Sequence, residues 1–321
     1  MSSQTAQPAM TDESLSPSSK SHGDSVFKGL STGSGVLIVV ILAAVAIFLI
    51  VQAAPALTHQ DFPLGDGSNG GILSYVGPYL FGTLYSAVLA LVLAVPIGVG
   101  IALFIALYAP RRFASGLGYV IDLLAAVPSV VYGLWGLQTL SLILQPVHRW
   151  LGDYLGFIPL FGGRVSGTGR SMLTAVVVLA VMVLPIITSM CREVFLQVPD
   201  RQIEASYALG ATRWEMIRQV VFPYSQSGII SASMLALGRA LGETMAVAMV
   251  LSAARVVNFS IITSTSSGTI ASNIALSFPE ATGLTRNLLI ATGLVLFVIT
   301  FVVNFISRWV VARRADFSGA N

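Results

Sequence analysis

Six long apolar runs, separated by polar segments, dominate the pattern of this 321-residue chain. A helix of about 20 residues spans the roughly 30 Å hydrocarbon core of a bilayer, and each run reaches that length. The pattern therefore predicts an all-α, polytopic membrane protein with about six transmembrane helices. The runs lie at about 35–54, 79–109, 117–144, 171–191, 228–252 and 287–310.

The polar ends of the chain mark the limits of this membrane-embedded part. Residues 1–28 are polar and rich in serine, which predicts a disordered cytoplasmic tail. The first run is too long for the hydrophobic part of a signal peptide, about 7–15 residues, so we expect it to be a retained span. We predict a transmembrane body at 29–315 and a short cytoplasmic C-terminal tail at 316–321. Pro96, with Gly98 and Gly100 close after it in the second run, predicts a kink or a break.

The composition agrees with lipid as the solvent of this chain. Hydrophobic residues make up 55% of it and charged residues 10%, against about 25% charged in soluble domains. Cys191 is the one cysteine, which excludes an internal disulfide and a multi-cysteine metal cluster. The three histidines are scattered and suggest neither a metal site nor a catalytic triad. We predict no catalytic residue and no metal.

Lysine and arginine fall mainly in the segments that a cytoplasmic N-terminus places inside. The outer loop 55–78 has none, although three arginines between 149 and 170 oppose the assignment locally. Because positive charge accumulates on the cytoplasmic side, the pattern predicts that both termini are cytoplasmic. The expected location is a bacterial inner, or plasma, membrane.

The segment between the fourth and fifth runs predicts a cytoplasmic helical hairpin. Pro199 can open a helix, and Gly210 can end it in the left-handed conformation. Thr212 and Glu215 have the spacing of a capping box for a second helix, and Pro223 predicts its end. Such a hairpin either only links two spans or is gripped by another protein. Its attachment to the membrane at both ends disfavours a DNA-reading helix-turn-helix, and we expect no nucleic-acid partner.

The hairpin sequence resembles the EAA loop of ATP-binding-cassette importer permeases, E-A-A-x3-G-x9-I-x-L-P. Glu204 and Ala205 begin the motif, and Ser206, Val220 and Phe222 differ from it conservatively. The resemblance implies the type I importer permease fold and a loop, residues 198–223, that docks into an ATP-hydrolysing subunit. The expected coupling residues are Glu204, Ala205, Gly210, Trp214 and Pro223.

The chain lacks the sequence of an ATP-hydrolysing motor. A phosphate-binding loop reads G-x-x-x-x-G-K-[ST], and the two lysines, Lys20 and Lys28, stand in no such context. We therefore predict a transport subunit that is not an enzyme and holds no cofactor, with ATP bound by a partner.

Arg239 and Glu243 are two charges in the middle of the fifth run. A charge near the bilayer centre costs about 2.5–3.5 kcal/mol on insertion scales and usually marks a pathway. The i,i+4 spacing predicts that both side chains share one helix face, and Gly238 and Gly242 predict the close approach of a neighbouring backbone. The pair either neutralises itself or forms an anion path, in which the guanidinium binds oxyanion oxygens and Glu243 holds Arg239.

Two stretches, residues 237–247 and 122–136, resemble the PstC type of phosphate importer permease. The resemblance implies that Arg239 and Glu243 take part in the passage of phosphate by alternating access. It also implies a second, PstA-like permease, two PstB-like ATPases and an extracytoplasmic, PstS-like phosphate-binding protein. The alternatives are a permease for another oxyanion such as molybdate or sulfate, or a passive channel. A membrane enzyme is a third alternative, but the sequence contains no credible catalytic cluster.

Overall fold

The computed structural model describes residues 22–58, 62–63, 69–251 and 253–315. Six helical segments in these ranges are long and apolar enough to cross a membrane, which confirms the predicted all-α, polytopic class. They are Val26–Thr58, Ile72–Tyr108, Ser129–Leu155, Met172–Leu196, Arg213–Leu241 and Gly283–Trp309. Of the predicted tails, residues 22–28 belong to the first helix, and 1–21 and 316–321 lie outside the described residues.

Short turns and π-helical segments divide these spans into separate helices. The α-helices are α1 (His22–Thr58), α2 (Ile72–Leu103), α3 (Arg111–Ala125), α4 (Ser129–Trp135), α5 (Ser141–Leu155), α6 (Met172–Leu196), α7 (Asp200–Ala208), α8 (Arg213–Met216), α9 (Phe222–Leu241), α10 (Met245–Val250), α11 (Ile270–Ser277) and α12 (Gly283–Ala315). The π-helical segments are Phe104–Tyr108, Gly136–Leu140 and Ile217–Val221, and a 3-10 turn covers Phe278–Glu280.

Four two-residue strands complete the described structure. The strands β1 (Phe62–Pro63) and β2 (Asn69–Gly70) pair antiparallel, and β3 (Ala253–Ala254) and β4 (Ser266–Ser267) pair parallel. The chain divides into a first unit that ends at Phe48 and a second that begins at Leu49. The described part of the first unit is the beginning of α1, whose apolar side chains are mostly exposed.

The third span lies later in the chain than the sequence predicted. Residues 117–125 belong to the separate helix α3, and the span begins at Ser129. Pro128 is the N-cap residue of α4 and not a residue inside the span, since proline disfavours helical backbone in the residue before it. Asp122 therefore lies on α3, where its Oδ1 accepts a hydrogen bond from Ser189 Oγ at 3.1 Å.

The fifth span begins earlier than predicted, because the predicted helix end at Pro223 is wrong. The chain continues from α8 through the π-helical turn Ile217–Val221 into α9, and Pro223 stands in the first turn of α9. Proline is tolerated in a first helical turn, and a π-helical turn changes the hydrogen-bonding register just before it. The predicted break at Pro96 is also absent, because α2 runs through that residue.

The helix α6 is the centre of the packing. Its most apolar window is 67% buried, against at most 28% in any other candidate span. It packs against α2, α9 and α3. Close contact with α2 requires small residues: a Cβ on Gly98 would stand 2.8 Å from Ile187 Cγ2. The sequence of α2 thus allows its backbone to approach α6.

The helix α4 packs on α10, so the two stretches that carry the PstC resemblance touch each other. A Cβ added to Gly133 would stand 2.8 Å from the Ala246 Cα and 2.9 Å from Met249 Sδ. Contacts below 3.0 Å with backbone cannot be relieved by a side-chain rotation. This crossing therefore depends on the absence of a side chain at Gly133.

The close contact at Gly133 predicts opposite effects of two glycine-to-alanine substitutions. Alanine favours a helix over glycine by about 1 kcal/mol, but at Gly133 overpacking of about 1–3 kcal/mol opposes this gain. We expect Gly133→Ala to lower the thermal unfolding midpoint of the detergent-solubilised protein. Gly100→Ala, at a site in α2 with nothing within 4 Å, is the control and should raise it or leave it unchanged. Equal midpoints for the two variants would contradict the close contact.

Candidate transport path and coupling loop

The fifth span ends in a break that the sequence did not predict. The helix α9 ends at Leu241, Gly242 is its C-cap residue, and a new helix, α10, begins at Met245. Transporters form substrate sites at such discontinuous helices, where backbone groups and helix ends are free to face a path. The break therefore marks a candidate transport site.

Arg239 lies in the last turn of α9, immediately before this break, and its side chain is exposed. A cation is favourable there because the helix C-terminus carries partial negative charge. Ser231 and Leu235, four residues apart on the same face of α9, are exposed as well. The guanidinium is thus presented on an open face of the helix, which the described residues of this chain do not cover.

Glu243 has a different position from the one predicted. It is buried, and its Oε1 accepts a hydrogen bond from the Ala246 backbone N–H at 3.0 Å, in the first turn of α10. The prediction that Arg239 and Glu243 share one helix face is wrong, because the helix ends between them. The two side chains are both within the described residues and form no ion pair with each other.

The close approach predicted at two glycines of the fifth span does not occur among the residues that the structure describes. A Cβ on Gly238 would meet nothing within 4 Å, and one on Gly242 would meet only the backbone of its own helix. The open face of α9 is continuous around these residues.

The spans around the break are the least apolar of the molecule. The mean hydropathy of the best window is 1.3 both in Ser129–Leu155 and in Arg213–Leu241, and at least 2.5 in the other four spans. Tyr132, on α4, donates a hydrogen bond to the Leu124 carbonyl at 2.9 Å. Weakly apolar spans beside an exposed cation favour a hydrated path over a surface in contact with lipid.

The predicted hairpin is present, and its turn has the predicted geometry. Gly210 follows α7 with φ +85°, in the left-handed region. The Gly210 N–H donates to the Tyr207 carbonyl at 2.9 Å, and the Ala211 N–H donates to the Ser206 carbonyl at 3.2 Å. These bonds satisfy carbonyls at the end of α7 in the manner of a glycine C-cap.

The predicted capping box at the start of α8 is confirmed. Glu215 Oε2 accepts from the Thr212 backbone N–H at 2.8 Å and from Thr212 Oγ1 at 2.7 Å. In return, the Glu215 N–H donates to Thr212 Oγ1 at 3.3 Å. The second helix does not end after a few residues, however, but continues into the fifth span. The hairpin turn and Arg239 are thus joined by one helical segment.

The inner side of the hairpin packs on the helices and its outer side is open. Ile217 and Val221 are buried, whereas Trp214, a predicted coupling residue, is 61% exposed. The other predicted coupling residues, Glu204, Ala205, Gly210 and Pro223, are also exposed. Leu209, at the tip, is 90% exposed, and large exposed apolar side chains of this kind mark contact surfaces.

The hairpin contacts the end of the second span through the start of α8. The Arg213 guanidinium lies over the Tyr108 ring, 5.4 Å from its centroid. A cavity of about 120 Å³ lies between them and is lined by Leu107, Tyr108, Ile203, Tyr207, Arg213, Met216 and Ile217. A movement of the hairpin therefore reaches α2 as well as α9.

A larger cleft, of about 1110 Å³, borders the hairpin on its other side. It extends from the end of α6 at Val194, past the Gly210 turn, to Gly228 on α9. The sequence offered no signal for this cleft, because its walls come from segments that fold together only in three dimensions. It lies beside both the hairpin and the helix that carries Arg239.

Comparison with known families places the chain among transport proteins. Residues 98–316 match the model of the binding-protein-dependent transport system inner membrane component. The phosphate transport system permease protein PstC 2 of Mycobacterium tuberculosis is 43% identical over 320 residues, which cover 97% of this chain and 98% of that protein. The PstC of Mesorhizobium japonicum is 38% identical, over 92% of each chain.

The fold has a counterpart among solved structures. The crystal structure of a bacterial ABC transporter involved in the import of the acidic polysaccharide alginate matches with a TM-score of 0.58. The match covers 89% of this chain and 96% of that chain, at 17% identity, and so bears on the fold alone. It confirms the predicted importer permease fold. The chain belongs to the binding-protein-dependent transport system inner membrane components and, among them, to the PstC permeases: it is a multi-pass inner-membrane transport subunit that works with an ATPase and a binding protein.

Proposed function

We propose that this chain forms half of the membrane path through which an ATP-driven importer carries inorganic phosphate into the cell. The observation that carries the proposal is the exposed Arg239 at a broken helix. A guanidinium keeps its charge at any physiological pH and matches phosphate oxygens with paired N–H donors. Relatives that are similar over nearly the whole chain are phosphate permeases, which supports phosphate over other oxyanions.

The second half of the path comes from a second, PstA-like permease. Arg239 and the neighbouring face of α9 are open in this chain, and a phosphate path along them needs a second wall. A PstA-like subunit supplies that wall. The charge of Arg239 then faces the boundary between two proteins, where water and the anion enter, and is not surrounded by lipid.

Two PstB-like ATPases drive the movement, and one of them grips the hairpin of this chain. The exposed residues Leu209 and Trp214 supply apolar contact area, and Glu204 supplies a charge near the tip. The hairpin is then cytoplasmic, and both chain termini lie on the same side. A PstS-like binding protein delivers phosphate from the opposite side.

Alternating access follows from the path and the hairpin together. ATP binding brings the two ATPases together and moves the hairpin, and the helix from Arg213 to Leu241 carries that displacement to Arg239. The site then opens on one side as it closes on the other. Glu243, which caps α10, keeps its carboxylate bound to backbone and leaves the Arg239 guanidinium available to the anion.

Removal of the Arg239 charge should stop transport without stopping assembly. A hydrogen bond to a charged group contributes about 1.5–3 kcal/mol, so we expect Arg239→Gln to lower phosphate uptake by roughly ten- to hundredfold or more. The measurement is uptake of radiolabelled phosphate by proteoliposomes that contain the assembled complex and ATP. Co-purification of the ATPase should be unchanged.

Arg149→Gln is the matched control, since Arg149 is also an exposed arginine but lies on α5, in a different span. It should transport like the unaltered protein. Normal uptake by Arg239→Gln would contradict the role of the guanidinium. Equal loss in both variants would show that the effect does not depend on position 239.

The left-handed turn at Gly210 predicts a second phenotype. A β-branched residue is strongly disfavoured at φ +85°, whereas asparagine tolerates this region. We expect Gly210→Val either to prevent recruitment of the ATPase or to abolish the stimulation of ATP hydrolysis by phosphate-loaded binding protein. Gly210→Asn should keep most of both. Full recruitment and stimulation in Gly210→Val would contradict a coupling role for the turn.

Substrate class is tested on the unaltered complex. Proteoliposomes that contain the two permeases and the ATPases, supplied with the binding protein outside, should take up phosphate only when ATP is inside. Uptake without ATP would indicate a passive channel. Stronger uptake of molybdate or sulfate than of phosphate would assign the chain to another oxyanion.

A further inference from the structure

The short helix α10 has a charged side chain at each end. At its N-terminus, the Glu243 carboxylate accepts from the Ala246 N–H at 3.0 Å. At its C-terminus, Nη2 of Arg170 donates to the Met249 carbonyl at 3.2 Å. These are groups that a helix leaves without partners inside itself. The signs of both charges also match the helix dipole, negative at the N-terminus and positive at the C-terminus.

Arg170 reaches α10 from a distant part of the sequence, 79 residues away. It stands in the tight turn before α6, where Ser166 Oγ donates to the Arg170 carbonyl at 2.8 Å. Gly169 adopts φ +71°, and its carbonyl accepts from Thr174 Oγ1 at 2.6 Å. Ser171 then caps the N-terminus of α6. The backbone that carries Arg170 is therefore tied to the most buried helix of the molecule.

The same turn is joined to the segment that follows α10. The Ser166 N–H donates to the Ile262 carbonyl at 2.9 Å, and the Leu173 N–H donates to the Ile261 carbonyl at 2.7 Å. Arg170 thus extends from a rigid frame towards the end of α10. The free end of the broken span is held by that frame and not by continuity with α9.

We propose that Arg170 is a positioning residue of the transport path: with Glu243 it fixes both ends of α10, and so fixes the break beside which Arg239 meets the anion. The expected effect on transport rests on the proposed function. The geometric part, that Arg170 and Glu243 fix the ends of α10, does not depend on it. A six-residue helix is too short to be stable by itself, so its order depends on these contacts and on its packing against α4. Without Arg170, α10 opens more often and the path beside Arg239 loses its shape.

Amide hydrogen exchange on the assembled complex tests the geometric part. Arg170→Met keeps the apolar stem and removes the donor, and we expect exchange in residues 245–251 to rise about tenfold, as for loss of one hydrogen bond to a charged donor. Arg170→Lys keeps the charge and one donor nitrogen, and should restore part of the protection of the α10 amides from exchange. Arg164→Met removes an exposed arginine from the same loop and should leave α10 unchanged.

Phosphate uptake by the same variants tests the consequence. We expect Arg170→Met to lower the maximal rate about tenfold and to leave the half-saturating phosphate concentration unchanged, because the binding protein captures phosphate before it reaches the membrane path. Arg170→Lys should recover part of the rate. A change in half-saturation with an unchanged maximal rate would overturn the positioning role.

Unchanged exchange in residues 245–251 of Arg170→Met, or an equal rise in Arg164→Met, would overturn the proposal. If the complex with Arg170→Met cannot be recovered, the test uses Arg170→Lys. We then expect amide exchange in residues 245–251 to rise severalfold, and exchange equal to that of the unaltered complex would contradict the proposal. An error in the proposed function would show differently, as absence of phosphate uptake by the unaltered complex. The exchange result would be independent of that error.

Discussion

The backbone of a membrane-embedded segment has to find its hydrogen bonds within the protein, because lipid offers none. This constraint governs the break between α9 and α10, where the intrahelical pattern stops. The carboxylate of Glu243 satisfies a backbone N–H on one side of α10, and Arg170 satisfies a carbonyl on the other. The break between α9 and α10 therefore does not need a contact from the Arg239 side chain to satisfy these backbone groups. In the proposed function, the exposed Arg239 guanidinium is left for the anion.

The long helical segment from Arg213 to Leu241 connects this site to the hairpin formed by α7 and α8. Its 29 residues correspond to about 43 Å, with the Gly210 turn before one end and Arg239 at the other. A rigid element that joins two sites can transmit a displacement without any intermediate chain of contacts. The contact between Arg213 and Tyr108 extends the same motion to α2. This segment is the direct mechanical route that the proposed coupling requires.

The sequence predicted most of what depends on local chemistry. Runs of apolar residues gave the six spans, and the residue types at Gly210, Thr212 and Glu215 gave the hairpin turn and its capping box. The break at Gly242 was missed because the spacing of Arg239 and Glu243 is the same whether the helix continues or ends between them. Sequence spacing alone does not distinguish the two cases. The available signal of a helix end was Gly242 followed by the polar residues Glu243 and Thr244. Arg170 had no local signal at all, since its contact with Met249 exists only in the folded chain.

The central claim is that Arg239 faces an aqueous path between two permeases and contacts the transported anion there. A structure of the assembled complex with bound phosphate, determined by electron cryomicroscopy in a lipid nanodisc, tests it most directly. The account predicts anion density within hydrogen-bonding distance of the Arg239 guanidinium, on the open face of α9, with Glu243 still bound to α10. An Arg239 side chain among the acyl chains, with the anion elsewhere, would contradict it.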